Sequence, residues 1–527
     1  MDKTPKHHGE FYFEPSIAEW PSAVLQNRAK FFDIPLWDQT ASKVRAFLKM
    51  PTDCPIVLTG HQPVFFYPGI WAKCLAASQL AQAVKGMAYH KITDTALAPE
   101  FTQFIPEVNE KGRARRGEVD FFISKDMKIK AKAVPYAFLP APEKAALEKI
   151  LSNAVTFGPA VVQKSVKYFN EKLIDGLKIN TTWNQFHSYT LDLLDHIAGT
   201  KRVTLVGSHL WESEPFVDFF IFWLTHMMDF NKHYNDSLDE YRKKYGITHE
   251  MEPMSNLKFE DWHFELPFWG TAKDHRRDTL WAKIEGKTIS LRIKGSVGSH
   301  TFHKEDLRNE LLASTLKIWP KAIPQTLFCR MYLCDFFIHG IGGGAYEEVG
   351  DLFFKKTVNA DPPVYGITSA TYLIDDKESE GLDVIVNHER IMGLWKRALE
   401  QNPEYLFTRP DDWKRDLPAF IRGYFERCFE IPSLKKMADE KKSLLDFLKD
   451  PAKKSAAAKR IKELNGELFA SYAEIIKAID QGLLDAQAVK EARDVLAFRE
   501  YPFFCFGEEV FLDMKEKVKK AFAEGKV

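Results

Sequence analysis

Neither sign of charge prevails in this chain, in which 73 Lys and Arg residues face 73 Asp and Glu residues over 527 positions. Without a net field to gather a polyanion, nucleic acid is not an expected partner. Cysteine is sparse, and the six thiols (Cys54, Cys74, Cys329, Cys334, Cys428, Cys505) include no Cys-x-x-Cys pair. That scatter excludes a short-chain disulfide framework and suits reduced thiols in the cytoplasm. Long apolar runs are lacking as well. The opening MDKTPKHHGEFYF carries no apolar core of the kind export requires. The most hydrophobic stretch, residues 214–230, is 17 residues long and contains Asp218 and His226, so a buried helix is expected there and no membrane span. No internal repeat or low-complexity tract is present. Apolar residues (45%) and aromatics (13%) are plentiful, enough for a large core, and this length implies more than one folding unit.

The most informative stretch is residues 56–73, IVLTGHQPVFFYPGIWAK. Ile56 to Leu58 form a short apolar run behind Pro55, as a buried parallel strand does. Thr59 and Gly60 end it, and the spacing of Ile70, Cys74, Ala77 and Val84 predicts one apolar face of a helix that opens at Pro68 and Gly69. In open α/β sheets, ligands bind where strand carboxyl ends meet helix amino ends. Thr59, His61, Gln62 and Gly69 stand at that junction, and Lys73 lies just inside the helix. A second strand is predicted over residues 87–93, with Asp94 at its carboxyl end, and a third over 203–206, followed by His209. His209 and Glu212 lack a third ligand at a familiar spacing, so no metal site is expected. Ser213, Glu214 and Pro215 then read as a helix start.

Residues 258–295 have a β-rich pattern with a hairpin turning at Glu285-Gly286, and there Glu265, Arg276 and Arg277 are candidates to hold a charged substrate group. A short strand from Phe336 leads into His339 and the glycines Gly340, Gly342, Gly343 and Gly344, whose amides suit an anion. Gly340-x-Gly342-x-x-Ala345 also fits a loose dinucleotide fingerprint, but it comes late in the chain and lacks an acid behind the next strand. The basic knot Lys111-Gly-Arg-Ala-Arg-Arg116 reads as a solvated loop. Residues 1–54 are expected to wrap the core as irregular chain with one helix near 39–49, residues 55–375 to form the α/β core, and residues 376–527 to be helical throughout. A three-to-four stripe at Leu464, Leu468, Tyr472, Ile475 and Ile479 suggests a coiled arm able to support a homodimer.

With these residues set out, the segment Thr59-Gly-His-Gln-Pro-x-Phe-Phe-x-Pro-Gly-Ile-Trp-x-Lys73 resembles the Thr-Gly-Gln-Gln opening of the cysteine-adding enzymes of bacillithiol biosynthesis. It is most similar to a poorly characterised bacterial branch of that group. Further blocks that fit the branch are Tyr234-Asn-x-x-Leu-x-x-Tyr-Arg242, Glu265-Leu-Pro-Phe-Trp269, Arg276-Arg277 and Phe337-Ile-His-Gly-Ile-Gly-Gly-Gly344, in that order. The resemblance implies an α/β fold with a Rossmann-like parallel-sheet core related to class I synthetases and nucleotidyltransferases, and an appended helical region. It implies an ATP-dependent ligase-like enzyme of thiol metabolism that joins an amino acid carboxylate to an amine on a small-molecule substrate. In that scheme His61, with Lys73 beside it, bonds the phosphate, Asp94 holds the amine, and the Gly340–Gly344 turn holds a carboxylate or phosphate. A non-catalytic nucleotide or small-molecule binding protein that kept the fold and a dinucleotide-dependent oxidoreductase are the alternatives.

Overall fold

The computed structural model describes residues 3–33, 35–97, 102–108, 114–122, 125–127, 133–157, 160–248, 254–271, 275–296, 298–374 and 382–524. In chain order its strands are β1 (Glu10–Glu14), β2 (Ile56–His61), β3 (Met87–Ile92), β4 (Thr102–Val108), β5 (Ala114–Asp120), β6 (Val203–Val206), β7 (Phe259–Glu260), β8 (His263–Thr271), β9 (Arg277–Glu285), β10 (Thr288–Ile293), β11 (His300–His303), β12 (Lys317–Pro320), β13 (Phe336–His339) and β14 (Gly366–Thr371). The main sheet has the order β1-β14-β13-β2-β3-β6. Its β2, β3, β6, β13 and β14 are parallel, and β1 runs antiparallel at one edge. The chain builds outward from β2 through β3 to β6, then returns to the other side of β2 for β13 and β14. The strand order therefore reverses between β2 and β13, where a doubly wound sheet opens a crevice at its carboxyl edge.

The amino edge of the same two strands is closed by one carboxylate. Asp335, 1% exposed, accepts the Ile56 amide at 2.7 Å and Arg28 Nη1 at 3.2 Å on Oδ2, and Arg45 Nη2 at 3.1 Å on Oδ1. Its own amide donates to the Ile56 carbonyl at 2.8 Å. Asn27 extends the clamp by donating to the carbonyls of Asp335 (2.9 Å) and Val364 (2.7 Å) and accepting the Val364 amide (2.8 Å). The starts of β2, β13 and β14 are thus held together by side chains from the first 45 residues. This stretch is more regular than its aromatic-rich sequence suggests. Alternation at Phe11 and Phe13 makes β1, which pairs along β14, and two helices follow at Trp20–Asp33 and Pro35–Phe47.

Helix Pro68–Ala83 begins at the predicted proline, but nearly every residue of it is buried, not one face alone. Its outer side is covered by helix Glu508–Glu524, with Trp71 edge-on to Phe511 at 5.4 Å. Residues 499–527 accordingly belong to the α/β unit, which comprises 1–105, 117–374 and 499–527. The helices expected as one appended region over 376–527 are thus divided, since 499–527, with helix Glu508–Glu524, group with the α/β unit. The same unit holds an antiparallel sheet, β11-β10-β9-β8-β12, whose β9–β10 hairpin turns at Gly286 with φ +56°.

The second unit comprises residues 106–116 and 375–498. Its helices run from Leu382–Gln401 to Ala473–Leu496, and the last is separated from helix Lys454–Ser471 by a break at Tyr472. Leu464, Leu468, Tyr472, Ile475 and Ile479 are all 0% exposed. All but Leu464 pack in one core with Met392, Trp413 and Phe425 of the same unit. The stripe is satisfied inside the chain, and the ground for expecting a dimer through it falls away. Of the basic knot, Lys111, Gly112 and Arg113 lie outside the described residues, and Arg115 pairs with Glu107 at 2.8 Å. Among the described residues no helix is long and apolar enough to cross a membrane.

Removing the Asp335 carboxylate takes its anion from beside two guanidinium groups and the acceptor from the Ile56 amide. Asp335→Ala is expected to cost roughly 3–5 kcal/mol in urea denaturation of the α/β unit. At the surface, the half-buried Asp416→Ala, which breaks a pair with Arg415 at 2.7 Å, should stay within about 1 kcal/mol of the parent.

Candidate functional site

At the strand-order reversal the α/β unit contains a cleft of about 830 Å³. Its floor is the carboxyl edge of the main sheet, with Gly60, His61 and Gln62 after β2, Thr93 after β3, and His339 and Gly340 after β13. Its facing wall comes from the antiparallel sheet, where the β8–β9 register shifts between Glu265 and Trp269. Such irregularities re-aim side chains, and Glu265, Trp269 and Trp281 all line the cleft.

Lys73 projects toward the amino end of its helix, as helical side chains do, and its Nζ donates to the Gly60 carbonyl at 2.9 Å. It is 3% exposed. Burial, with Lys91 nearby, pushes its ammonium down to about 8. Lys91 points inward from β3 and donates to Thr93 Oγ1 at 3.1 Å, and burial lowers its pKa as well. Arg277 and Lys321 stand 4.3 and 4.5 Å from the Trp269 ring centroid, and Lys321 pairs with Glu265 at 2.9 Å. Lys258, Lys294 and Arg499 add to these cations, while among the described residues only Glu260, Glu265 and Glu500 oppose them. A chain with no net charge therefore holds a positive cleft.

The glycines after β13 form no separate nest. Gly340 is the N-cap of helix Ile341–Val358, and Gly342, Gly343 and Gly344 are its first turn. The amides of Ile341, Gly342 and Gly343 precede the first intrahelical bond, which Gly344 makes to Gly340 at 3.1 Å, so they point toward the cleft as anion donors. The helix Pro68–Ala83 offers less, because proline removes one donor and the Ile70 and Trp71 amides already bond the Tyr67 carbonyl at 3.0 and 3.1 Å. Gly69 serves packing. A Cβ there would stand 2.8 Å from the Ala370 carbonyl and 2.5 Å from Arg499 Nη2.

His61 lines the cleft in a different role from the one expected. Its Nδ1 lies 3.0 Å from the Gln62 carbonyl, which only accepts, so Nδ1 carries the proton and Nε2 keeps a lone pair. Burial among the cleft walls, together with Lys73, pushes the imidazole down to about 3. At neutral pH it cannot donate to a phosphate from Nε2, but it can accept from a hydroxyl or an amine.

The structure gathers His61, Gln62, Gly69, Lys73, Glu265, Arg277, His339, Gly340, Gly342 and Gly343 around this one cleft. It places five other candidates elsewhere. Thr59 is 0% exposed and ties β2 to β13 by donating to the Ile338 carbonyl at 2.8 Å. Asp94 is spent inside the fold, accepting from the Ser208 amide (2.8 Å), Ser208 Oγ (2.6 Å) and Asn184 Nδ2 (2.8 Å). Burial pushes its carboxyl up, against those three bonds. His209 stacks on Phe47 at 5.3 Å, away from the cleft, and Glu212 pairs with Lys317 at 2.6 Å. Arg276 is exposed and absent from the cleft wall. Gly344 faces Ile367, where a Cβ would stand 2.3 Å from Cδ1. Among the described residues no group of three His, Cys, Asp or Glu is placed to hold a metal ion.

Lys91 and Arg499 were not anticipated as site residues. Lys91 carried a signal, since a lysine within a buried parallel strand has to reach a polar space. No family model matches the chain, and no curated protein resembles it significantly.

Asp94→Ala strands the Ser208 and Asn184 donors and is expected to lower stability by about 1–3 kcal/mol, read as a shifted midpoint of urea denaturation.

Proposed function

We propose that the cleft binds a nucleoside triphosphate and that the chain is an ATP-dependent, ligase-like enzyme that joins a carboxylate to an amine. The observation that carries this reading is the convergence of the buried Lys73 ammonium and the amide end of helix Ile341–Val358 where the strand order reverses between β2 and β13. A buried ammonium pushed down to about 8 gains free energy from an anion at its side, and an open helix start is a ready donor set for phosphate oxygens. The strand order, read outward from β2, supports a Rossmann-like sheet of the kind used by class I synthetases, and so does the resemblance carried by residues 59–73. The positive cleft is larger than a triphosphate tail requires, which supports a second, small-molecule substrate bound against the Trp269 wall.

In this scheme Lys73 and the amides of Ile341, Gly342 and Gly343 hold the phosphates. His61 accepts a hydrogen bond from a hydroxyl or amine. Arg277 and Lys321 neutralise a carboxylate. Catalysis then rests on orientation and charge stabilisation. A dinucleotide enzyme is less well supported, because β14 ends in Ser369-Ala370-Thr371 with none of the acids that bind a ribose.

Isothermal titration calorimetry should show ATP and pyrophosphate binding to the parent, with affinity reduced at least about tenfold in Lys73→Ala, a loss of roughly 1.4 kcal/mol. Because the ammonium is the binding form, affinity should be constant below pH 8 and decline as pH rises through about 8. Equal binding by parent and Lys73→Ala would refute the phosphate site. Tight ATP binding without pyrophosphate release in the presence of amino acids would mark a binding protein.

A further inference from the structure

The phosphate site just described leaves one histidine of the cleft without a task. His339 closes β13 and is 4% exposed, and its Nε2 lies 2.9 Å from Glu347 Oε1 on the second turn of the following helix. Glu347 is 0% exposed and shares its other oxygen with Arg330 Nη1. Arg330 in turn reaches Asp351 Oδ1 at 2.8 Å. The opposite ring nitrogen, Nδ1, has no protein partner among the described residues. It lies over Gly343, where a Cβ would stand 2.7 Å away, so a glycine at this place keeps Nδ1 uncovered.

The charged and titratable groups facing the ring are Glu347, Arg330 and Lys73, along with Tyr346 and Tyr365, whose rings meet it edge-on at 6.0 and 5.7 Å. Burial disfavours the Glu347 anion, yet the contact with His339 Nε2 and the Arg330 guanidinium outweigh that and hold the carboxyl below its ordinary range. A carboxylate at Nε2 keeps the proton on that nitrogen. Burial lowers the imidazole's own pKa against the pull of Glu347, so the ring is neutral with a lone pair on Nδ1.

We propose that His339, oriented by Glu347, is the proton acceptor of the cleft and takes through Nδ1 the proton that an attacking amine must lose. The nature of the proton donor rests on the ligase reading above. In that step the amine nitrogen attacks the carbonyl carbon of an activated carboxylate and a C–N bond forms. The C–O bond to the phosphate leaving group breaks with its electron pair on oxygen. The nitrogen's surplus proton passes to Nδ1 and from there to water. His61 is the weaker candidate although it too is neutral. Its ring is backed by a carbonyl and not a carboxylate, so nothing stabilises the imidazolium that proton uptake creates. Glu347 acts through His339 and is a positioning residue.

The test is long-range proton–nitrogen correlation on full-length protein labelled with ¹⁵N-histidine, with His339 assigned by its loss in His339→Gln. The expected result at pH 7 is a neutral ring protonated on Nε2. Glu347→Gln is expected to lower the titration midpoint of His339 by about one pH unit or more. Hydroxamate formation from ATP, the common amino acids and hydroxylamine should show the acidic limb of its pH profile moving by the same amount. A ring protonated on Nδ1, or an imidazolium at pH 7, overturns the proposal. So does a limb that stays in place in Glu347→Gln. Should that variant fail to fold, the spectrum of the parent protein decides alone. Failure of the parent to bind ATP, with the His339 spectrum as expected, overturns the ligase reading and leaves the proton acceptor standing.

Discussion

The juxtaposition of β2 and β13 depends on the buried Asp335 carboxylate. These two strands are not neighbours in sequence, and every functional argument above relies on their carboxyl ends lying side by side. The clamp works at the opposite edge. One carboxyl group takes the first amide of β2 and two guanidinium groups from the N-terminal helices, while its own amide returns a bond to β2. β13 has four residues, about 13 Å at the usual rise, so a register fixed at Asp335 is transmitted to His339 with little room for error. A buried ion pair seldom adds much stability over an apolar substitute. What these partners add is a donor geometry that an apolar side chain could not supply.

Net charge proved informative about one class of partner and silent about another. A balanced composition argues against long-range attraction of a polyanion, but it does not describe how the charges are sorted in space. Here the cations collect at the sheet edge, and two of them, Lys73 and Lys91, are buried with lowered proton affinity. Desolvating these charges costs free energy while the cleft holds only solvent, and an anionic ligand recovers part of that cost.

Local patterns were the legible part of the fold. The strand–loop–helix at residues 56–73, the strand ends at Asp94, Val206 and His339, the Gly286 turn and the change of character near 375 all follow from apolar runs and turn chemistry of a few residues. What escaped were features whose partner is distant in sequence. Thr59 and Asp94 have donors and acceptors suited to a ligand, and only the fold reveals that Ile338, Ser208 and Asn184 already occupy them. The stripe at Leu464 to Ile479 has the spacing of an interface, and the helices that cover most of it, from Leu382–Gln401 onward, lie far earlier in the chain. Glu347 looked like any polar residue of an amphipathic helix until His339 was found beside it. The edge strand β1 was hidden because five residues rich in aromatics do not reveal which strand they will pair with.

Arg499 and Glu500 line the cleft, and Arg499 Nη2 bonds Ser369 Oγ at 2.7 Å and the Ala370 carbonyl at 2.9 Å. These residues follow the whole of the 375–498 excursion. A ribosome making this chain therefore delivers β14 long before the arginine that caps its carboxyl end, and residues 375–498 of the second unit emerge in between. At roughly 5–20 residues per second, the nascent sheet waits many seconds with helix Pro68–Ala83 uncovered on the side that Phe511 will shield. The apolar surface on that side of the helix has no cover until helix Glu508–Glu524 is made.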